Sequence, residues 1–249
     1  MSSVAPGIEA VYEATQATWP PAATRDLGGI TLREGQGGGQ RVSAATWDGP
    51  GPITPEALDA AEAGMREIRQ VPLFMIRQGE AALDEALEAR GYAVVDPVNA
   101  YVGPLGPLAA EPLPRARAFD IWPPLAIQID LWKEGGIGPG RLGVMERAAG
   151  PKTSLIGRLG DVPAATGFVA IHDGIAMIHA LEVRDSCRRA GVGQLMTRKA
   201  AIWAKAQGAS HLAVLCTVAN EGANALYSSL GLSIVGQYHY RKATEDTAA

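Results

Sequence analysis

The most restrictive feature of the chain is the run Arg188-Arg189-Ala190-Gly191-Val192-Gly193, which lies between a strand-like apolar segment ending at Val183 and a long helical one. From Gly193 to Gln207 the sequence is rich in Ala, Leu, Met, Lys and Gln. Met196, Ala200 and Trp203 mark an apolar stripe, and Gly208 supplies a stop. A strand that feeds a helix through two spaced glycines makes a tight turn. Its unpaired amides point outward at the positive end of the helix dipole, which suits an anion. Gly191 and Gly193 would let backbone approach a phosphate, and Arg188 and Arg189 would add charge-assisted bonds. A plain turn with solvated arginines satisfies the same pattern, so the surroundings have to decide.

Those surroundings read as mixed α and β. "SLIGRL", "AATGFVAIHD" and "IAMIHALEV" are strands, the last two joined by Asp173-Gly174, a hairpin signal that predicts antiparallel pairing. After the long helix come the buried strand "HLAVLCT", the helix "NEGANALYSSLG" capped by Asn220 and closed by Gly231, and the strand "LSIVGQYHYR". Upstream, "LAIQIDLWKEGG" fits a helix through Leu125, Ile129 and Trp132, although Ile127, Ile129 and Leu131 alternate as in a strand; the helix is taken. "GRLGVMERAA" is a second short helix. In the first half "GITLREG", "QRVSAATW", "VPLFMIR" and "AVVDPVNAYVG" read as strands. Helices follow Thr54 as N-cap and run through "GEAALDEALEARGY" to Gly91. Between the halves, residues 103 to 124 carry Pro104, Pro107, Pro112, Pro114, Pro123 and Pro124, which disfavour both helix and central strand. The expected division is a domain at 1–110, a Pro-rich linker at 111–124 and a domain at 125–249, as a chain of 249 residues allows.

Composition excludes several classes. With 47% hydrophobic and 19% charged residues the chain can bury a core. A formal net charge of -4 argues against a nucleic-acid partner and weakly favours small molecules. Cys187 and Cys216 have no metal-like spacing, so neither a zinc site nor a disulfide framework is expected. "MSSVAPGIEA" lacks a basic region followed by an apolar one, and no run of about 18 apolar residues occurs, so no membrane association is expected and the cytoplasm is the default.

Arg-x-x-Gly-x-Gly at 188–193, with "NEGANALYSSLGL" about thirty residues later, resembles the GNAT superfamily of acyl-CoA-dependent N-acyltransferases. Arg188, Gly191 and Gly193 match the first motif. Asn220, Ala223, Leu226, Tyr227 and Gly231 match the second, with Leu232 where Phe is usual. The resemblance implies an α/β (α+β) fold with a mixed, mostly antiparallel sheet flanked by helices. It implies acetyl-CoA as co-substrate, with no metal. The diphosphate would sit on the amides of Arg189, Ala190, Gly191, Val192 and Gly193, the pantetheine arm would pair with Leu181, Glu182 and Val183, and Asn220 would contact the cofactor or substrate. A neutral amine would attack the thioester directly, the protein supplying position and proton transfer.

Tyr227 matches the family's acid for the departing thiolate, and that role is preferred over a core tyrosine packed behind the last strand. The base is less clear. Several relatives carry Glu where this chain has Leu215, which takes no proton. Glu182 is preferred, with His179 beside it. Strand alternation puts those two on opposite faces, and His179 and His172 read as structural. Cys187 is read as a loop residue and Cys216 as buried.

Setting Gly91 against Gly231 aligns "ALDEALEARGYAVV" with "ANALYSSLGLSIV", so a helix, a turn and a strand recur. At that offset Leu87 stands for Tyr227, Glu80 for Asn220, Asp48 for Arg188 and Ile53 for Gly193, while Gly51 coincides with Gly191. Two GNAT-like halves follow, the first degenerate. "REGQGGGQR" reads as a flexible hairpin, because no helix follows it. The expected activity is N-acetyl transfer to a primary amine of a small molecule or peptide. The alternative is a non-catalytic acyl-CoA binder used as a sensor or assembly domain. A dinucleotide site would need an acidic residue about 20 positions after the glycines, which is missing. The acceptor is not legible: Asp130 and Glu134 would suit a cationic one, and solvation explains both. Oligomeric state is left open, a homodimer included.

Overall fold

The computed structural model describes residues 5–244. The chain forms α1 (Ile8–Thr18), β1 (Ala23–Asp26), β2 (Ile30–Glu34), β3 (Thr46–Trp47), α2 (Pro55–Glu67), β4 (Leu73–Ile76), α3 (Ala81–Ala89) and β5 (Ala93–Pro104). It continues with α4 (Leu105–Leu108), β6 (Ala118–Ile121), α5 (Ala126–Glu134), α6 (Pro139–Arg147), β7 (Lys152–Leu159), β8 (Val162–His172) and β9 (Ile175–Val183). It closes with α7 (Val192–Ala206), β10 (His211–Thr217), α8 (Glu221–Ser229) and β11 (Ser233–Lys242). Two compact units result. The first holds residues 5–20, 100–216 and 220–235; the second holds 21–99, 217–219 and 236–244. β5 and β11 therefore run through both.

In the first unit β11, β5, β10, β9, β8, β7 and β6 are neighbours in that order. β8 pairs antiparallel with β7 and with β9, and Asp173-Gly174, both at positive φ, make the expected turn between β8 and β9. β10 pairs parallel with β9. On one face of the sheet α7 packs Val192, Met196, Ala200 and Ala204 onto Ala176, Ile178, Val214 and Cys216. On the other, Val11 and Ala14 of α1 meet Ile175, Met177 and Ala213. α5 is anchored where Gln128, buried, accepts from the Leu125 amide (2.9 Å) and donates to Ser154 Oγ (2.9 Å).

The second unit has its own core of Ile30, Leu58, Met65, Phe74, Leu83 and Leu87. α2 begins as read, with Thr54 Oγ1 accepting from the Ala57 amide (3.3 Å) and Pro55 at the first turn. β4 pairs antiparallel with β11 from Leu73↔Lys242 to Ile76↔His239. There Asp84 of α3 accepts from Arg241 Nε (2.6 Å) and is paired with His239 Nε2 (2.8 Å). Burial works against the Asp84 anion, but the bonds from Arg241 and His239 outweigh it and hold the carboxyl below its usual range. The stability it contributes is present above the unfolded carboxyl value of about 3.9 and is lost as pH falls through the lower folded value. Asp84→Ala leaves the buried Arg241 guanidinium with Glu88 at 3.5 Å and the Tyr92 carbonyl at 3.0 Å. It is expected to lower stability by about 2 kcal/mol in denaturant melts at neutral pH, and by progressively less as the pH is lowered through the folded Asp84 value.

Three readings are corrected. The stretch 111–124 is not a linker, because Ala118–Ile121 is strand β6, paired antiparallel with β7, and Lys199 of α7 pairs with Asp120 on it. Its prolines fall outside the strand, where no ladder donor is lost: Pro112 and Pro114 precede β6, and Pro123 and Pro124 lie between β6 and α5. The division near residue 110 likewise gives way to one near Asn99, and residues 5–20 belong to the first unit. In "QRVSAATW" residues 40–42 form a 3-10 turn, and only Thr46–Trp47 is strand.

Candidate active site

The site is built where β9 and β10 part. Their parallel register runs from His211↔Ile175 to Val214↔Ile178 and stops, although β9 continues to Val183 and β10 to Thr217. Beyond Ile178 the strand also bulges. β8 pairs Phe168 with His179 and then Thr166 with Glu182, so Ala180 and Leu181 together oppose Gly167, and Ala180 takes a φ of 49°. The two strands therefore open a gap at their carboxyl ends.

The bulge corrects the expected alternation. Phe168 and Thr166, two apart on β8, share a face, so their partners His179 and Glu182 share it too; one extra residue on β9 has reversed the parity. Leu181 and Val183 turn instead toward the α7 side, where they pack on its core. Glu182 thus lies on the face that carries Leu215, whose side chain packs with Val11 and Ala14. His179 is spoken for: it is buried, its Nε2 lies 2.8 Å from Thr18 Oγ1, and Trp19 stacks on the ring with centroids 4.9 Å apart. That makes it a structural histidine. Glu182 is half-buried and its nearest cation is Arg188, at 3.5 Å. Burial pushes its carboxyl above the usual range, Arg188 opposing the shift.

The turn after β9 leads into α7 through Gly191, which sits at φ 77°, in the left-handed region, as the residue before the helix. Arg188 also pairs with Asp185 (2.9 Å) and is largely exposed. Among the described residues no backbone carbonyl takes the amides of Arg189, Ala190, Gly191, Val192 or Gly193. These amides open the helix with its dipole behind them, a set of donors that fits a diphosphate. Gly193 serves packing as well, since a Cβ there would lie 3.0 Å from Leu226 of α8.

Tyr227 reaches the other face of the sheet from α8. It is buried at 4% exposure, its ring centroid is 5.7 Å from that of Tyr101, and its hydroxyl has no hydrogen-bond partner among the described residues. Burial, and secondarily Cys216, push its phenol well above the ordinary value. Cys216, at the end of β10, is itself pushed up to about 11 by burial, so it is an inert thiol. Asn220 caps α8, its Oδ1 accepting from the Ala223 amide (3.1 Å). Cys187 is buried in the turn. No cluster of metal-ligating side chains occurs among the described residues.

Three residues that bear on the site were not singled out from the sequence. Trp132 donates from its indole to the Ala180 carbonyl (2.8 Å), Arg184 forms a two-armed pair with Glu134 (both 2.7 Å), and Gly135 lies against Glu182. Long-range contacts of this kind leave no local signature.

A splayed parallel strand pair beside a glycine turn of free amides defines a class of protein. Residues 123–232 match the model of the acetyltransferase (GNAT) family, so this stretch is a GNAT domain, and the chain as a whole has the GNAT fold. Family membership places that domain among acyltransferases. A GCN5-related N-acetyltransferase from Kribbella flavida is similar at 19% identity over 94% of this chain and 95% of its own, with a TM-score of 0.71. A conserved protein of unknown function from Staphylococcus epidermidis matches at 12% identity over 90% and 94% (TM-score 0.65). A tandem GNAT protein from the clavulanic acid biosynthesis pathway matches at 15% over 92% and 85% (TM-score 0.61). No curated protein matches the chain. No helix among the described residues is long and apolar enough to cross a membrane.

Proposed function

We propose that the protein transfers an acetyl group from acetyl-CoA to a primary amine of a small molecule or peptide, in a ternary complex and without a covalent enzyme intermediate. The observation that carries this reading is the parting of β9 and β10 beyond Ile178↔Val214, directly ahead of the free amides at 189–193. Those amides and Arg188 would hold the diphosphate, and the unpaired edge at Leu181, Glu182 and Val183 would bind the pantetheine amides. Glu182 and Tyr227 lie on opposite faces of the sheet. That arrangement suits proton removal on the amine's side and proton delivery on the thiol's. The neutral amine nitrogen bonds to the thioester carbonyl carbon and the carbon–sulfur bond breaks. The nitrogen's proton passes to Glu182, directly or through water, and Tyr227 gives its proton to the thiolate.

Leu215 favours a second reading, a non-catalytic acyl-CoA binder, since it stands where several relatives carry a carboxylate. The first half is proposed as a degenerate copy of the fold. In support, Leu87 is fully buried in its core as Tyr227 is in the other, and Gly51 adopts φ 73° against 77° at Gly191. Use of an acyl-CoA donor would suit a cytoplasmic protein, with a homodimer left open. Thermal melts with CoA and acetyl-CoA test the reading. Ligand at about a hundred times its Kd is expected to add about 2.7 kcal/mol of stability. A panel of primary amines with acetyl-CoA is expected to release free thiol. Lack of affinity for both molecules overturns the assignment, and binding without turnover favours the second reading.

A further inference from the structure

The carboxyl end of α5 touches two alternate residues at the open end of β9, Ala180 and Glu182, and Arg184 just beyond it. Trp132, fully buried, donates to the carbonyl of Ala180, the bulged residue (2.8 Å). Gly135, which ends the helix, lies so close to Glu182 that a Cβ would come within 2.4 Å of its Cγ and 2.7 Å of its Oε2. Glu134 takes both arms of Arg184 at 2.7 Å. Arg184 in turn donates to the Pro163 carbonyl of β8 (2.9 Å). Beyond Ile178 β10 supplies no ladder to this segment, so something else has to set its course. A strand end without a neighbour on one side keeps a bulge and a left-handed alanine only if surrounding contacts hold them.

We propose that α5 is a clamp on β9: Trp132 is a positioning residue that fixes the bulge, and Glu134 and Gly135 fix the direction of the residues that follow it. The clamp keeps Leu181 to Val183 parted from β10 and turns Glu182 to the face opposite Tyr227. This rests on the acetyl-CoA reading, because the segment it holds is the one assigned to the pantetheine arm. Its effect is confined to that arm. The amides at 189–193 make none of the three contacts and are expected to keep their geometry without them.

Calorimetric titration of the whole protein with acetyl-CoA, and separately with adenosine 3′-phosphate 5′-diphosphate, which carries the diphosphate but no pantetheine, tests this. Trp132→Phe removes the indole donor. Because that ring is buried, the double variant Glu134→Gln with Gly135→Ala breaks the two outer contacts at an exposed turn and leaves the core intact. Each is expected to weaken acetyl-CoA binding about tenfold and to leave the nucleotide fragment's affinity unchanged. Equal losses for both probes, or no loss for either, overturn the clamp. Wild-type protein that binds neither probe overturns the acetyl-CoA reading instead, so the two failures are distinct.

Discussion

Tyr227→Phe is expected to lower kcat for acetyl transfer about a hundredfold to a thousandfold while Kd for acetyl-CoA stays within about twofold. The reason is chemical. A thiolate leaving an acyl carbon needs a proton, and the phenol, held protonated by burial and by nearby Cys216, is the proposed acid. The substitution keeps the ring, and with it the packing beside Tyr101 and against Cys216. It removes a hydroxyl that bonds to nothing among the described residues, so the melting temperature is expected to hold. Isothermal titration gives Kd, and thiol release with an amine found in the screen gives kcat. Unchanged turnover in the variant would remove Tyr227 from the chemistry.

Glu182→Gln has the second largest expected effect, about a hundredfold in kcat/KM at neutral pH, together with a change in the shape of the pH profile. A base works when ionised, so the wild-type rate is expected to rise with pH through the Glu182 value. That value lies above the ordinary carboxylate range because burial outweighs the attraction of Arg188. The glutamine variant is expected to lose this ascending limb and keep only the limb set by deprotonation of the amine itself. Arg188→Gln is expected to move the wild-type limb to higher pH, since it removes the cation that holds the carboxyl down. Persistence of the limb in Glu182→Gln would place the base elsewhere, a water chain included.

Much of the architecture is written in local chemistry. Thr54 and Asn220 announce α2 and α8 because their side chains satisfy amides within their own helix, and Asp173-Gly174 sets its hairpin through two positive φ values. The elements that are hard to read depend on distant partners. α1 buries Val11, Tyr12, Ala14, Thr15 and Thr18 and folds because β8 and β9, about 150 residues away, pack on it, Met177 meeting Val11 and Ala14 and His179 bonding to Thr18. β6 hides among prolines that its neighbours tolerate, since the ladder to β7 needs donors only from 118 to 121.

The amino-acid order by itself determined the glycine turn into α7, the tyrosine on α8 and the fold they belong to, because each depends on spacing within a few turns of chain. Only the tertiary structure decided which way Glu182 faces. An alanine in the left-handed region is uncommon and carries no sequence signal, so the bulge at Ala180 exists by virtue of Trp132 and the pairing with β8. One inserted residue reverses every side chain after it, and on that reversal the proposed base lies on the face opposite the acid.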